Sequence, residues 1–256
     1  MKKISEIRDI LKQDEVPEEV LQDILSDERK GVQNLVVSYM KRLERESEER
    51  LRVESMYEVE SEFYKKGLTH IVGIDEVGRG PLAGPVTVAA VILKPHWFAY
   101  GLNDSKKVTI KHREEIAAKI QKEAVDVSIV SLPPEEIDAL NIYEATMMAM
   151  YQAVKNLKIQ PDAVIVDAMP LHFSCPTVSL IHGDAKSASV AAASIAAKVY
   201  RDKIMDEYDT IYPGYGFAKN KGYGTAEHIA ALHTLGITPI HRKSFEPVKS
   251  MVLGKQ

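Results

Sequence analysis

The sequence predicts an α/β layered domain with a helical extension at its N-terminal end. Residues 1–70 are rich in charge and carry helical spacing. From residue 71 onward, short β-branched apolar runs bounded by glycine and proline alternate with long segments of helical period. The chain has 256 residues, 45% of them hydrophobic, enough for one large core and a small appendage.

The elements follow in order. "SEIRDILKQ" and "PEEVLQDILSD" are short amphipathic helices, the second with Pro17 at its start, where a missing N–H costs little. The next segment sets Val32, Leu35, Val36, Tyr39, Met40 and Leu43 on one helical face, turns mostly charged, and stops near Gly67. "IVGIDE" and "VTVAAVIL" read as buried strands, "KHREEIAAKIQKE" as a helix with Ile116 and Ile120 four apart, and "VDVSIVSL" as an alternating strand. Pro133 and Pro134 open one helix through "EEIDALNIYEATMMAMYQAVKNL". "AVIVDA" and "TVSLIHG" are further strands, and "SASVAAASIAAKVYRDKIMDEY" is an alanine-rich helix. The expected boundary therefore separates a helical extension and connector, 1–70, from a domain over 71–256.

Composition narrows the function. The single cysteine, Cys175, rules out a disulfide framework or a cysteine-rich metal site and suits a reducing compartment. No signal peptide stands at the start, and no run approaches the roughly twenty apolar residues of a membrane span. A soluble, cytoplasmic protein is expected. The net charge is -4, yet residues 219–256 hold 6 Lys+Arg against 2 Asp+Glu, which fits a polyanion footprint as well as a solvated face.

The carboxylates are the informative residues, because a charge is costly to bury without a partner. Asp75 and Glu76 close "IVGI", Asp167 closes "AVIV", and Asp184 follows "TVSLIHG". Side chains alternate along a strand, so Asp75 and Glu76 share a direction only if the strand ends there. If the strands are neighbours, the acids meet at one end of the sheet and cannot all stay ionised without a cation. Oxygen ligands without His or Cys select Mg²⁺ or Mn²⁺. The competing reading has each acid capping a helix or turn, Asp184 being placed to cap "AKSASVAAAS". Two divalent ions about 4 Å apart are an apparatus for phosphodiester hydrolysis, and nearby glycines leave room for a substrate backbone.

The loop "GRGPLAG" matches neither G-x-G-x-x-G nor a P-loop, so no dinucleotide cofactor is expected. Instead, "GIDEVGRGPLAGPVTVAAVIL" resembles the signature of the type 2 ribonucleases H. "LNDSKKVT" (102–109), "VDA" (166–168), "GDAKSASVAAASIAAKVYRD" (183–202), "GYGTAEH" (222–228) and "HRKSFEPV" (241–248) follow in that family's order. The resemblance runs from residue 71 to about 250, and residues 1–70 lie outside it.

It implies a ribonuclease H-like mixed sheet flanked by helices, with a C-terminal helical portion closing over a duplex. Asp75, Glu76, Asp167 and Asp184 would be the catalytic carboxylates holding two Mn²⁺ or Mg²⁺ ions. Gly78, Arg79 and Gly80 would read a ribonucleotide 2′-hydroxyl, Tyr223 would stack on the sugar beside the cut, and Asn103, Ser105 and Lys106 resemble a phosphate-binding stretch. The implied activity is cleavage of the RNA strand in RNA–DNA hybrids and 5′ of single ribonucleotides in DNA duplexes, leaving 3′-hydroxyl and 5′-phosphate ends. No protein partner is implied.

Where family members often have glycine after the third acid, this chain has Ala168, tolerable if its φ is negative. Asp202 competes with Asp184 as fourth acid, but it sits mid-helix beside Arg201, its expected partner. Among the remaining candidates, His228 reads as structural. His182 fits the site or the surface, and Cys175 is inert. The methionines of "EATMMAMYQAV" read as core filling. Trp97 and Phe98 follow a strand exit, and the sequence leaves open whether they anchor a surface. The alternatives are a type 3 ribonuclease H, disfavoured by the charged helical N-terminal region, and a binding module that lost catalysis, disfavoured by the four acids.

Overall fold

The computed structural model describes residues 2–13 and 15–254. The chain divides into two compact units, up to Arg52 and from Val53 onward.

The first unit contains α1 (Ile4–Ile10), α2 (Glu18–Leu25) and most of α3 (Lys30–Ser55). Its core is built from Ile7, Leu11, Ile24, Val32, Val36 and Tyr39. The α3 stripe expected from the sequence is buried through Tyr39, whereas Met40 and Leu43 are exposed. Pro17 caps the start of α2.

The second unit starts with α4 (Glu58–Tyr64), β1 (Ile71–Val77), β2 (Val86–Ile92), α5 (Ile110–Glu123), β3 (Asp126–Leu132), α6 (Pro134–Leu140) and α7 (Ile142–Lys155). It continues with β4 (Ala163–Asp167), β5 (Thr177–Leu180), α8 (Gly183–Lys186), α9 (Ala188–Ile211), α10 (Phe217–Asn220), α11 (Ala226–Leu235) and α12 (Val248–Leu253). The sheet is mixed, in the order β3-β2-β1-β4-β5. β1 pairs antiparallel to β2 and parallel to β4. No helix among the described residues is long and apolar enough to cross a membrane.

Period-two alternation gives each face of the sheet its own core. From β2, Val86, Val88, Ala90 and Ile92 point into the core that contains α7, while Ala89 and Val91 point into the core that contains α9. The alanines at 188, 191, 192, 193, 196 and 197 are all buried. They let α9 lie unusually close to the sheet, and Gly73 completes that approach. A Cβ at Gly73 would sit 2.1 Å from the Ser189 carbonyl carbon.

The compact units divide at Arg52/Val53, and Val53, Met56 and Tyr57 are buried in the α9 core. The start of α9 explains this. Ala188 N–H donates to the Met56 carbonyl at 3.1 Å, and Ser189 N–H donates to the Glu60 carboxylate at 3.1 Å. Residues before 70 thus satisfy helix N–H groups that would otherwise be unpaired. The single helix expected after Pro134 is two, since Asn141 adopts φ 71° and its side chain accepts from Tyr143 and Glu144 N–H. Trp97 is no surface anchor: it is buried, and its Nε1 donates to Glu123 at 2.9 Å.

Gly73→Ala is expected to destabilise the protein by about 3 kcal/mol or more, because the added methyl meets backbone that has no rotamer to yield. Denaturant unfolding checks this, and a variant with wild-type midpoint contradicts it.

Candidate active site

β1 outruns its parallel partner. The β1–β4 ladder ends at the Ile74–Val166 pair, so Asp75 and Glu76 lie beyond it, where Asp167 leaves β4. β1 itself runs on to Val77, paired with β2, so the strand does not end at the two acids. By alternation Asp75 belongs with Gly73 on the α9 side and Glu76 with Ile74 on the other.

Asp167 is the acid the other three share. It repels Asp75, Glu76 and Asp184 in turn. Burial, and then Glu76, hold Asp75 well above the usual carboxylate range, against the nearby Ser194 hydroxyl. Burial raises Glu76 too, opposed by Arg79 at 3.4 Å. Asp184 is raised by burial and then by Asp104, against Lys106. Asp167 Oδ1 accepts Gly183 N–H at 2.7 Å, which fastens the end of β4 to α8.

This set fits a hard divalent cation. Glu76 Oε2 is buried with no hydrogen-bond partner, and all the donors are oxygens. The raised carboxyls show repulsion that a cation would relieve. Among the described residues no three His, Cys, Asp or Glu side chains converge tightly enough to grip an ion as they stand. The acids instead lean on local donors: Asp75 on the Glu76 N–H, Asp167 on the Gly183 N–H, Glu76 on Arg79.

Beside the acids lies the loop from Gly78 to Pro85. Gly78 has φ 89°, and a Cβ there would meet Arg201 Nε at 2.2 Å. Gly80 faces open space except for Tyr223, whose Cε1 would lie 3.7 Å from an added Cβ. Tyr223 is 44% exposed. Two buried arginines hold the loop from behind. Arg242 donates to the carbonyls of Gly78, Arg79 and Gly84, and Arg201 to those of Ala83, Pro85 and Lys221.

The "LNDSKK" loop reaches the same place from another side. Lys106 acts on Asp184. Asn103 Oδ1 accepts Asp104 N–H at 2.8 Å, which shapes the turn. Ser105 is buried, its hydroxyl 3.1 Å from that of Ser194, so its side chain ties loop to helix.

Other expectations change. Asp202 is engaged by Lys198 at 2.6 Å and Arg113 at 3.4 Å, while Arg201 gives its N–H groups to carbonyls. Ala168 has φ 44°, so the condition set for its tolerance is not met, at a cost of about 1 kcal/mol. His182 is exposed, and α9 is capped by Ser187 rather than Asp184. Sequence reasoning missed Asp104, Ser194, Arg201 and Arg242 as parts of the site. Ser194, a polar residue on an alanine-lined helix, was the one legible signal.

A mixed sheet with acids gathered where adjoining strands end defines a ribonuclease H-like hydrolase. Comparison with known proteins narrows this. The family model described as Ribonuclease HII matches residues 72–248, and that of the Ribonuclease HII N-terminal domain matches residues 3–64. The Ribonuclease HII of Ligilactobacillus salivarius (strain UCC118) is 51% identical over 250 residues, 98% of either chain. Among solved structures, the ribonuclease H2 of Pyrococcus horikoshii OT3 aligns at a TM-score of 0.62 and 24% identity, a likeness of fold, covering 71% of this chain and 96% of its own. The RNase HII in the PCNA:RNase HII complex from Archaeoglobus fulgidus aligns at 0.57 and 25%, covering 69% and 95%. The chain belongs to the ribonuclease HII family. Residues before 70, outside the resemblance drawn from the sequence, are thus matched by a family model of their own.

The raised carboxyls carry a pH dependence. Asp75, Glu76 and Asp184 hold their protons more tightly folded than unfolded. Their stabilising contribution is complete below the ordinary carboxylate values of 3.8 to 4.5 and is lost as pH rises through the raised values. Metal-free Asp75→Asn is therefore expected to melt above wild type at pH 7, with the gap shrinking toward pH 4. Mn²⁺ should narrow it by stabilising wild type more. Calorimetry checks this, and a metal-free variant that melts below wild type at pH 7 refutes it.

Proposed function

We propose that this chain is a metal-dependent endonuclease that hydrolyses the RNA strand of RNA–DNA hybrids. On the same reading it cuts 5′ of single ribonucleotides embedded in duplex DNA, leaving 3′-hydroxyl and 5′-phosphate ends, and serves ribonucleotide removal in the cytoplasm. The observation that carries the reading is the gathering of Asp75, Glu76 and Asp184 around Asp167, beside a glycine loop faced by an exposed tyrosine.

The four carboxylates would hold two divalent ions, Mn²⁺ or Mg²⁺, which would lower the pKa of the attacking water and stabilise the leaving 3′ oxygen. The chain's own residues supply position. Arg242 draws the carbonyls of Gly78 and Arg79 inward. The loop can then offer its substrate side to a 2′-hydroxyl, and glycine at 80 leaves room for the sugar. Tyr223 stacks on that sugar across from Gly80. Lys106 meets a phosphate, with Asn103 and Ser105 holding the loop that carries it.

Asp75→Asn should abolish cleavage of a duplex with one ribonucleotide while leaving duplex binding nearly intact, since an amide is a far poorer Mg²⁺ ligand than a carboxylate. Single-turnover assays with Mg²⁺ decide the point, and turnover well above background sinks the assignment.

Two substitutions test the sensor. Gly80→Ala meets only ordinary van der Waals contact in the folded chain, so it should fold normally yet lose cleavage at a lone ribonucleotide. Tyr223→Ala should slow that cleavage by roughly tenfold or more, since a stacking contact is worth about 1–3 kcal/mol. The Mn²⁺ concentration for half-maximal rate should stay unchanged. Wild-type rates for both variants on both substrates would leave loop and ring without a sensing role.

A further inference from the structure

Two histidines lie buried behind Tyr223. His228, on α11, and His241 are 0% and 1% exposed. They sit among the rings of Tyr215 and Phe217, with Phe217 edge-on to His228 at a centroid distance of 5.3 Å. Their Nε2 atoms are 3.0 Å apart. On the far side of one ring, Thr238 N–H points at His241 Nδ1 at 2.9 Å. On the far side of the other, His228 Nδ1 lies 2.9 Å from the Tyr223 carbonyl.

The row ends at one side on a backbone carbonyl and at the other on the Thr238 backbone N–H, with the Thr238 hydroxyl 2.8 Å from the same Nδ1. An N–H only donates, so His241 Nδ1 must carry its lone pair. Neutral His241 then has its proton on Nε2 and donates it to His228 Nε2. Neutral His228 must in turn carry its proton on Nδ1, where it meets a carbonyl that only accepts. One arrangement of protons satisfies every group, and it runs from Thr238 to Tyr223. Any added proton sets two donors face to face. Burial supports this by pushing His228 down, and His241 down to about 4, so both rings stay neutral near pH 7.

We propose that His228 and His241 are positioning residues which, through this directed chain, fix the Tyr223 backbone so that its ring stands over Gly80. The functional half rests on the reading of Tyr223 as the residue that stacks on the substrate sugar. The chain also joins the two halves of the sensor. His241 bridges to Ala83 in the glycine loop, and Arg242, next in sequence, holds the loop carbonyls. Ring and loop are therefore set by one buried unit, and a shift in either histidine moves the gap between them.

The first measurement is nitrogen NMR of the imidazoles in the full-length protein at pH 7. His228 is expected in its neutral Nδ1–H form and His241 in its neutral Nε2–H form. A reversed tautomer, or a charged ring, overturns the chain. The second is a mutant cycle on a DNA duplex with one ribonucleotide. His228→Gln places its amide at the ε position and loses the donor to Tyr223. His228→Asn keeps a donor at the δ position and should cut at least about threefold faster than His228→Gln. Adding Tyr223→Ala to His228→Gln should slow cleavage no further than Tyr223→Ala alone, with the half-maximal Mn²⁺ concentration unchanged throughout. Additive losses, or equal rates for the two His228 variants, overturn the positioning role. If Tyr223→Ala by itself cuts at wild-type rate, the stacking role of Tyr223 fails and the positioning role with it, while the imidazole spectrum still decides the hydrogen-bond chain.

Discussion

The site depends on two buried cations that make no salt bridge to a carboxylate among the described residues. Arg201 and Arg242 are both 0% exposed, and burial pushes them down to about 10 and about 9. A guanidinium in an interior must be met by acceptors, and here these are backbone carbonyls of Gly78, Arg79, Ala83, Gly84, Pro85 and Lys221. Turning so many carbonyls inward dictates the course of the loop. It also places positive charge directly behind the loop. Gly78 follows from the same constraint, since any side chain there would displace the Arg201 guanidinium.

α9 is the rail on which both halves of the site are mounted. Near its start it touches Gly73 on β1. One turn or so on, Ser194 lies beside Asp75 and donates to Ser105, and two turns further Arg201 grips the glycine loop. The carboxylates and the loop thus share one element, which sets their separation. The alanines that let α9 approach the sheet are therefore part of the site's geometry as well as of its core.

The cap of this helix at Ser187 is reinforced from before residue 70. Glu60 accepts from Ser187 Oγ, Ser189 N–H and Ser189 Oγ at 2.6 to 3.1 Å. A buried carboxylate at a helix N-terminus is favoured by the helix dipole as well as by these bonds. Ser187 lies three residues after Asp184. The segment matched to the family's N-terminal domain therefore contributes to the folding unit that holds the acids, and the two divisions of the chain do not coincide.

The sequence by itself determined the strands, the long α9 and the three apolar runs that end in acids, because burial imposes periods that can be read locally. The motif chain also named the loop and Tyr223, and His228 was legible as structural. What only the tertiary structure decided was partnership. Arg201 looked like the partner of Asp202, its neighbour in sequence, yet it bonds to carbonyls 116 and 118 residues away. Asp104 comes to act on Asp184, and Ser194 on Asp75, from distant parts of the chain. The positive φ of Ala168 and the break at Asn141 were likewise invisible, since local propensity would have kept both residues on the other side of φ space. Periodicity reports which side of an element is buried. It carries no information about which distant backbone group will satisfy a buried charge, and in this protein that choice shapes the site.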